Sequence, residues 1–152
     1  MDGVVIICDY AQANNGKLYV TGGAVNLVGT ASVEAPHPVS LWAGIVVTVP
    51  WQAHNQPHKL VVSLRDQDEN KVPIGRPAPG VEVREEDEGS FVAQFNVGRP
   101  AILQPGDETP IPLAVPLSVG LPALGSYHVT LEIDGTEVAR ASFRAVSAIP
   151  GT

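Results

Sequence analysis

Carboxylates are the side chains best placed by type and spacing to do chemistry in this chain. Asp66, Asp68, Glu69 and Asn70 fall close together, and Glu85-Glu86-Asp87-Glu88 forms a second acidic run. Oxygen-rich loops are what a calcium ion takes, because a hard cation is held by several carboxylate and carbonyl oxygens. An EF-hand loop opening at Asp66 needs glycine at its sixth place and glutamate at its twelfth. Lys71 and Pro77 stand there, which removes that reading. A C2-like site is the remaining metal candidate, with loops at one end of a β-sandwich bringing Asp66, Asp68, Glu86 and Asp87 together. The competing reading is two solvated acidic turns that serve solubility. It is preferred, since calcium affinity requires convergence that spacing alone does not show.

Other chemistry is weaker still. His54 and His58 have the four-residue spacing of a zinc helix, but Pro57 lies between them and breaks any regular helix. Asn55 follows His54, where a metalloprotease helix carries glutamate. His37 joins them only if the fold brings it there. Gly16-Lys17 matches the end of a phosphate loop, but Ala11 and Leu18 occupy positions that need glycine and a hydroxyl residue. Cys8 follows four aliphatic residues, the setting of a buried, inert thiol. No Gly-x-Ser-x-Gly elbow occurs. The reading therefore assigns no catalytic residue and no cofactor.

Composition narrows the class. The chain has 152 residues, of which 44% are hydrophobic and 16% charged, a globular balance with room for one core. Fifteen glycines and fourteen prolines favour many short strands joined by turns. The net charge is −7, from 16 acidic and 9 basic residues, with no local cluster of Lys or Arg. A phosphate backbone would be repelled, so nucleic-acid binding is not expected. Cys8 is the only cysteine, and the first residues show neither a basic leader nor a long apolar span. A cytoplasmic location without a membrane span is the expectation.

The elements that position these groups read as strands. In the last hairpin, Tyr127, Val129, Leu131 and Ile133 alternate with His128, Thr130 and Glu132. Such alternation predicts one buried and one wet face. Asp134-Gly135 supplies the turn. A two-residue turn would set Glu132 against Glu137. A three-residue loop with Gly135 left-handed sets Val129 against Ala139 and Tyr127 against Ala141, and is preferred here. Leu124-Gly125-Ser126-Tyr127 resembles a tyrosine corner. Earlier strands are read at residues 4–8, 17–28, 40–49, 58–65 and 90–97, with short pieces at 72–74 and near Val81 and Val83. A Pro-rich break falls at 76–80. Residues 84–88 are the one helix-friendly run. The fold expected over residues 1–152 is all-β: a single antiparallel β-sandwich, immunoglobulin-like or C2-like, of eight to nine strands.

Cys8-Asp9-Tyr10-Ala11, followed by Gly16-Lys17-Leu18-Tyr19-Val20-Thr21-Gly22-Gly23, resembles a family of small uncharacterised bacterial proteins. Residues 60–66 and the Gly125-x-Tyr127 hairpin extend the likeness. The resemblance implies a β-sandwich and brings no binding or catalytic residues with it.

Residues 111–117 are apolar, and Pro112 and Pro116 mark them as an edge strand. No charge occurs from Ile111 to Leu124, so the edge lacks the usual defence against association. A homodimer or a protein partner docked there is one expectation, with Trp42 and Trp51 able to extend the surface. The other is that Leu113, Val115 and Leu117 face the core. The function expected is a non-enzymatic interaction or structural module; a calcium- or ligand-binding C2-like module and an enzyme with a loop-borne site are the alternatives. Replacing Asp66 and Asp68 with Asn is expected to leave the melting temperature the same with and without millimolar calcium. A calcium-dependent rise that these changes abolish would establish the C2-like site instead.

Overall fold

Alternating side chains decide which face a strand turns to the core, most plainly along His37–Val49, and the chain forms eleven strands among the described residues. In order these are β1 (Asp2–Cys8), β2 (Tyr10–Asn14), β3 (Lys17–Thr21), β4 (Leu27–Thr30), β5 (His37–Val49), β6 (Pro57–Asp66), β7 (Lys71–Val72), β8 (Phe91–Asn96), β9 (Thr109–Leu121), β10 (Gly125–Ile133) and β11 (Thr136–Ser147). Single 3-10 turns lie at Trp51–Ala53 and Glu85–Asp87. The computed structural model describes residues 1–75 and 80–148. The Pro-rich break read at 76–80 thus lies, apart from Gly80, outside the described residues.

The strands form three sheets. One has the order β1-β5-β9, all antiparallel. The larger has the order β4-β11-β10-β6-β7, with β8 also paired to β6. The third is the β2–β3 hairpin. The two larger sheets share one core. Val39, Leu41, Ala43, Ile45, Val47 and Val49 of β5 join Val115, Leu117 and Leu121 of β9. From the other sheet come Leu60, Val62 and Leu64 of β6, Tyr127, Val129, Leu131 and Ile133 of β10, and Phe143 and Ala145 of β11. Phe91 and Phe95 of β8 are partly buried and pack at its margin.

The all-β expectation holds, and several details change. The strand count rises from eight or nine to eleven among the described residues. The run 17–28 splits at Gly22-Gly23 into β3 and β4, which belong to different sheets. β2 separates from β1 because the chain bends sharply at Asp9, whose N–H bonds the carbonyls of Thr21 and Gly22. Gly22 has φ +63°, and a Cβ there would collide with the Asp9 carboxylate. Residues Val81 and Val83 form no strand. The pairing is not wholly antiparallel, since β4 runs parallel to β11. β1, for all its run of aliphatic residues, is an edge, and only Ile7 and Cys8 at its end are buried.

The closing hairpin corrects the register reading. Asp134 and Gly135 have φ +52° and +85°, the left-handed pair of a two-residue turn. Glu132 does face Glu137. A bulge then falls between Leu131 and Glu132, leaving Val138 as the extra residue, and beyond it Val129 faces Ala141 and Tyr127 faces Phe143. The like-charged pair is tolerated because Arg140 donates to both Glu137 carboxylate oxygens, at 3.0 and 3.3 Å. The second face of β10 is not wet, since His128 and Thr130 are buried. β10 lies between β11 and β6, and Glu69 from the turn after β6 reaches His128 on that face.

The tyrosine corner is present. Tyr127 donates its hydroxyl hydrogen to the Ala123 carbonyl at 2.6 Å, and the Ala123 N–H points back at 3.3 Å. The β9 edge is also as read. Pro110, Pro112 and Pro116 all fall on even positions, so each missing N–H lies on the same, unpaired side. The apolar side chains, however, do not form a docking surface. Val115 and Leu117 are buried in the core, and Leu113 packs against it.

Phe143 stacks on Tyr127 with ring centroids 5.8 Å apart, both buried in the core. Phe143→Ala is expected to lower unfolding stability by about 3–5 kcal/mol in urea melts. A loss below about 1 kcal/mol would show that the site collapses around the missing ring.

Candidate functional site

The acidic loops are occupied by structure. Asp66 Oδ1 accepts the N–H groups of Asp68 and Asn70, both at 2.9 Å, and so builds the turn after β6. Asp87, almost enclosed, pairs with Lys59. Glu86 lies 3.5 Å from Arg84. Lys71 bridges to the same loop by donating to the carbonyls of Glu86 and Glu88. Asp68 is exposed. The structure thus gives three of the four carboxylates separate partners and leaves Asp68 in solvent. Among the described residues no three His, Cys, Asp or Glu side chains are grouped to hold a metal ion.

The two close histidines take different roles. His54 is buried against the edge of Trp51, and neither ring nitrogen has a hydrogen-bond partner among the described residues. The Arg99 guanidinium lies 3.9 Å above the Trp51 ring and donates to its backbone carbonyl. His58 is buried on the other side of Pro57. Its Nδ1 donates to Asp134 Oδ2 at 2.7 Å and its Nε2 to the Ala53 carbonyl at 2.7 Å. Both neighbours are acceptors, and only the imidazolium donates from both nitrogens. Burial opposes the charge, but the Ala53 carbonyl and the Asp134 carboxylate outweigh it and raise the His58 pKa. Burial likewise works against the Asp134 carboxylate, and His58 with the Lys59 N–H reverses that and lowers its pKa. This pair escapes sequence reading: Asp134 reads simply as a turn residue, and 76 positions separate it from His58.

Lys59, Asp87, Glu132 and Asp134 line a cleft of about 540 Å³ on the outer face of the larger sheet, with Ser63 and Arg84 beside them. Lys59 and Asp134 are both committed within it, to Asp87 and to His58 respectively. Cys8 is fully buried with its Sγ 3.5 Å from the Trp42 carbonyl, and burial pushes its thiol pKa up. A thiol so placed has little nucleophilic thiolate.

The outer face of the three-stranded sheet is different in kind. The β2–β3 hairpin lies on it above Gly44, where Val20, Leu18 and Ala11 approach to within 3.3–3.6 Å of where a Cβ would stand. Its own outer face carries Tyr10 and Tyr19, which are diagonal neighbours across the ladder and 46% and 51% exposed. Tyr10 meets Trp42 edge to face, with centroids 5.1 Å apart. Val4 and Val20 add exposed aliphatic surface nearby. Sequence reading missed this patch because β2 itself was not recognised.

The His58–Asp134 pair makes stability depend on pH. His58, with its pKa raised, stabilises the fold fully below its unfolded value near 6.5 and loses this as pH rises through the folded value. Asp134, with its pKa lowered, stabilises above its unfolded value near 3.8 and loses this as pH falls through the folded value. The pair therefore contributes most between these limits. Asn suits the left-handed φ of residue 134 and keeps the turn. Asp134→Asn is expected to cost about 1–2 kcal/mol near pH 5, discounted for the half-exposed carboxylate, and progressively less above pH 7. A cost independent of pH, read from urea melts across that range, would show that His58 is not charged in the pair.

Among the described residues no helix is long and apolar enough to cross a membrane. No curated protein matches the chain. A model for a family of unknown function, DUF6941, matches residues 3–146, nearly the whole length. The chain therefore belongs to DUF6941, a family of unknown function.

Proposed function

We propose that the protein is a non-enzymatic interaction module, built as an immunoglobulin-like or C2-like β-sandwich, that docks a protein partner through its N-terminal hairpin. The observation that carries this reading is the exposed aromatic pair of the hairpin, Tyr10 against Trp42 and Tyr19 diagonal to Tyr10, with Val20 of the same hairpin and Val4 of β1 also exposed. Tyrosine and tryptophan are enriched where protein surfaces meet, since they bury much apolar area and keep a polar handle. Contiguous apolar surface on an otherwise polar molecule marks a contact site. The bond from Tyr127 to Ala123 supports the sandwich identity, because such corners occur in Greek-key sandwiches. A non-enzymatic role is supported by how the ionisable groups near the clefts are used: His58, Lys59, Asp87 and Asp134 hold loops to one another. A lone buried thiol fits a cytoplasmic setting.

A photo-crosslinking phenylalanine analogue at position 19, set against the same analogue at position 137 on the closing hairpin, tests the reading in living cells. A discrete adduct is expected at position 19 alone, and Tyr10→Ser is expected to weaken it at least about tenfold, as an interface anchor would. An adduct of twice the chain mass would identify the partner as a second copy. Adducts that are absent, or equal at the two positions, would overturn the proposal.

A further inference from the structure

The outer face of the larger sheet carries a groove of about 650 Å³ that the hairpin reading does not use. Its floor is made by the residues of β10 and β11 that point away from the core. The register sets Ser126 beside Arg144 and His128 beside Ser142, which places four polar side chains in a two-by-two grid. One wall is Leu27 of β4, the parallel neighbour of Arg144 and 52% exposed. The opposite wall is the turn after β6. Glu69 stands there in a left-handed conformation, φ +65°, with its carboxylate 3.2 Å from His128 Nε2 and 3.8 Å from Arg140. Arg65 ties the turn down through the Glu69 carbonyl at 3.1 Å.

The charges in this groove are unequally matched. Glu69 is shared between His128 and Arg140, and Arg140 is held besides by Glu137. Among the described residues no acceptor takes the guanidinium of Arg144, and the hydroxyls of Ser126 and Ser142 are equally without partners. An unmatched guanidinium between two free hydroxyls, on a chain of net charge −7, is a local preference for an anion. A guanidinium presents parallel N–H groups that fit the two oxygens of a carboxylate or phosphate. Leu27 stands directly beside it and offers apolar surface to whatever the anion is attached to.

The geometry points to an oxyanion site here. Its ligand is a small amphiphile whose carboxylate or phosphate end is held by Arg144, Ser126 and Ser142 and whose apolar end lies on Leu27. Glu69 closes the far side, so the charged end sits toward Arg144 rather than over His128. This site is independent of the hairpin patch, which lies on the other sheet.

Backbone amide NMR titrations with inorganic phosphate, acetate and hexanoate test it. Saturable shifts are expected at residues 126, 142 and 144. Hexanoate is expected to bind at least about tenfold more tightly than acetate, since each buried methylene is worth at most roughly a factor of four and the groove is open. Leu27→Ser should remove that difference. Arg144 is exposed and unpaired, so Arg144→Gln should keep the melting temperature while abolishing the shifts, and Arg99→Gln should leave the shifts in place. Saturation by phosphate alone would assign the site to phosphates and confine the proposal to them. Shifts that are absent, scattered over the surface, or retained in Arg144→Gln would overturn it, and equal affinity for the two carboxylates would overturn the role given to Leu27.

Discussion

The structure depends on one constraint of parity in β10. This strand shares backbone bonds with β11 on one side and β6 on the other, and it must turn Tyr127, Val129, Leu131 and Ile133 to the core that β5 and β9 also face. Side chains alternate strictly along a strand, so one residue of slip would carry all four to the opposite face. The two-residue turn at Asp134-Gly135 would, unaided, set Val129 against Arg140. The bulge at Leu131/Glu132 absorbs one residue and puts Ala141 there instead. Val138, the extra residue, and Ala139 both pack toward the core. Gly3 of β1 leaves the room they need, since a Cβ at that position would press on Leu131 and Val138. A turn, a bulge and a glycine far apart in sequence thus satisfy one geometric condition.

That condition was half legible. The alternation from Tyr127 to Ile133 identified the strand, its buried face and the position of its turn, because period-two burial is a local property of the chain. The register is not legible, because the like-charged Glu132–Glu137 pair points to the wrong loop. The structure keeps that pair and neutralises it with Arg140, three residues further on. A surface repulsion of this size is small against the burial of four large side chains, so the core sets the register and the charges adapt. The same ordering explains residues 111–117. Prolines marked the edge correctly, but the absence of charge there reflects alternate residues facing the core rather than a surface left undefended.

Site legibility failed for a different reason. Acidic runs are visible in sequence, while what each carboxylate faces is a tertiary property. Asp66 caps its own turn, Asp87 meets Lys59 across the sheet face, and Asp134 meets His58 from another hairpin. Two of these partners lie within a single residue of each other, at His58 and Lys59, where alternation sends neighbouring side chains to opposite faces of β6. Asp134 reaches both, taking His58 Nδ1 on one oxygen and the Lys59 N–H on the other. One turn residue thereby ties the end of β10 to β6 and, through Ala53, to the 3-10 turn after β5.

The two outer faces of the molecule follow from these internal needs and differ accordingly. Outward side chains of the larger sheet make polar ties such as Lys59 to Asp87 and His128 to Glu69, while among the described residues Arg144 and its neighbouring serines are uncommitted. The smaller sheet has three strands and too little width to shield its own outer face, and its central strand carries Gly44 in the middle of that face. The missing side chain lets the β2–β3 hairpin settle close enough to bury Ala11. A two-stranded hairpin has little stability alone, so this contact is what orders it. Once the inner face of the hairpin is committed to Gly44, alternation forces Tyr10 and Tyr19 outward. The exposed aromatic face is therefore a consequence of how the hairpin is anchored, and substitutions at Tyr19 can change what the face binds without disturbing the anchor beneath it.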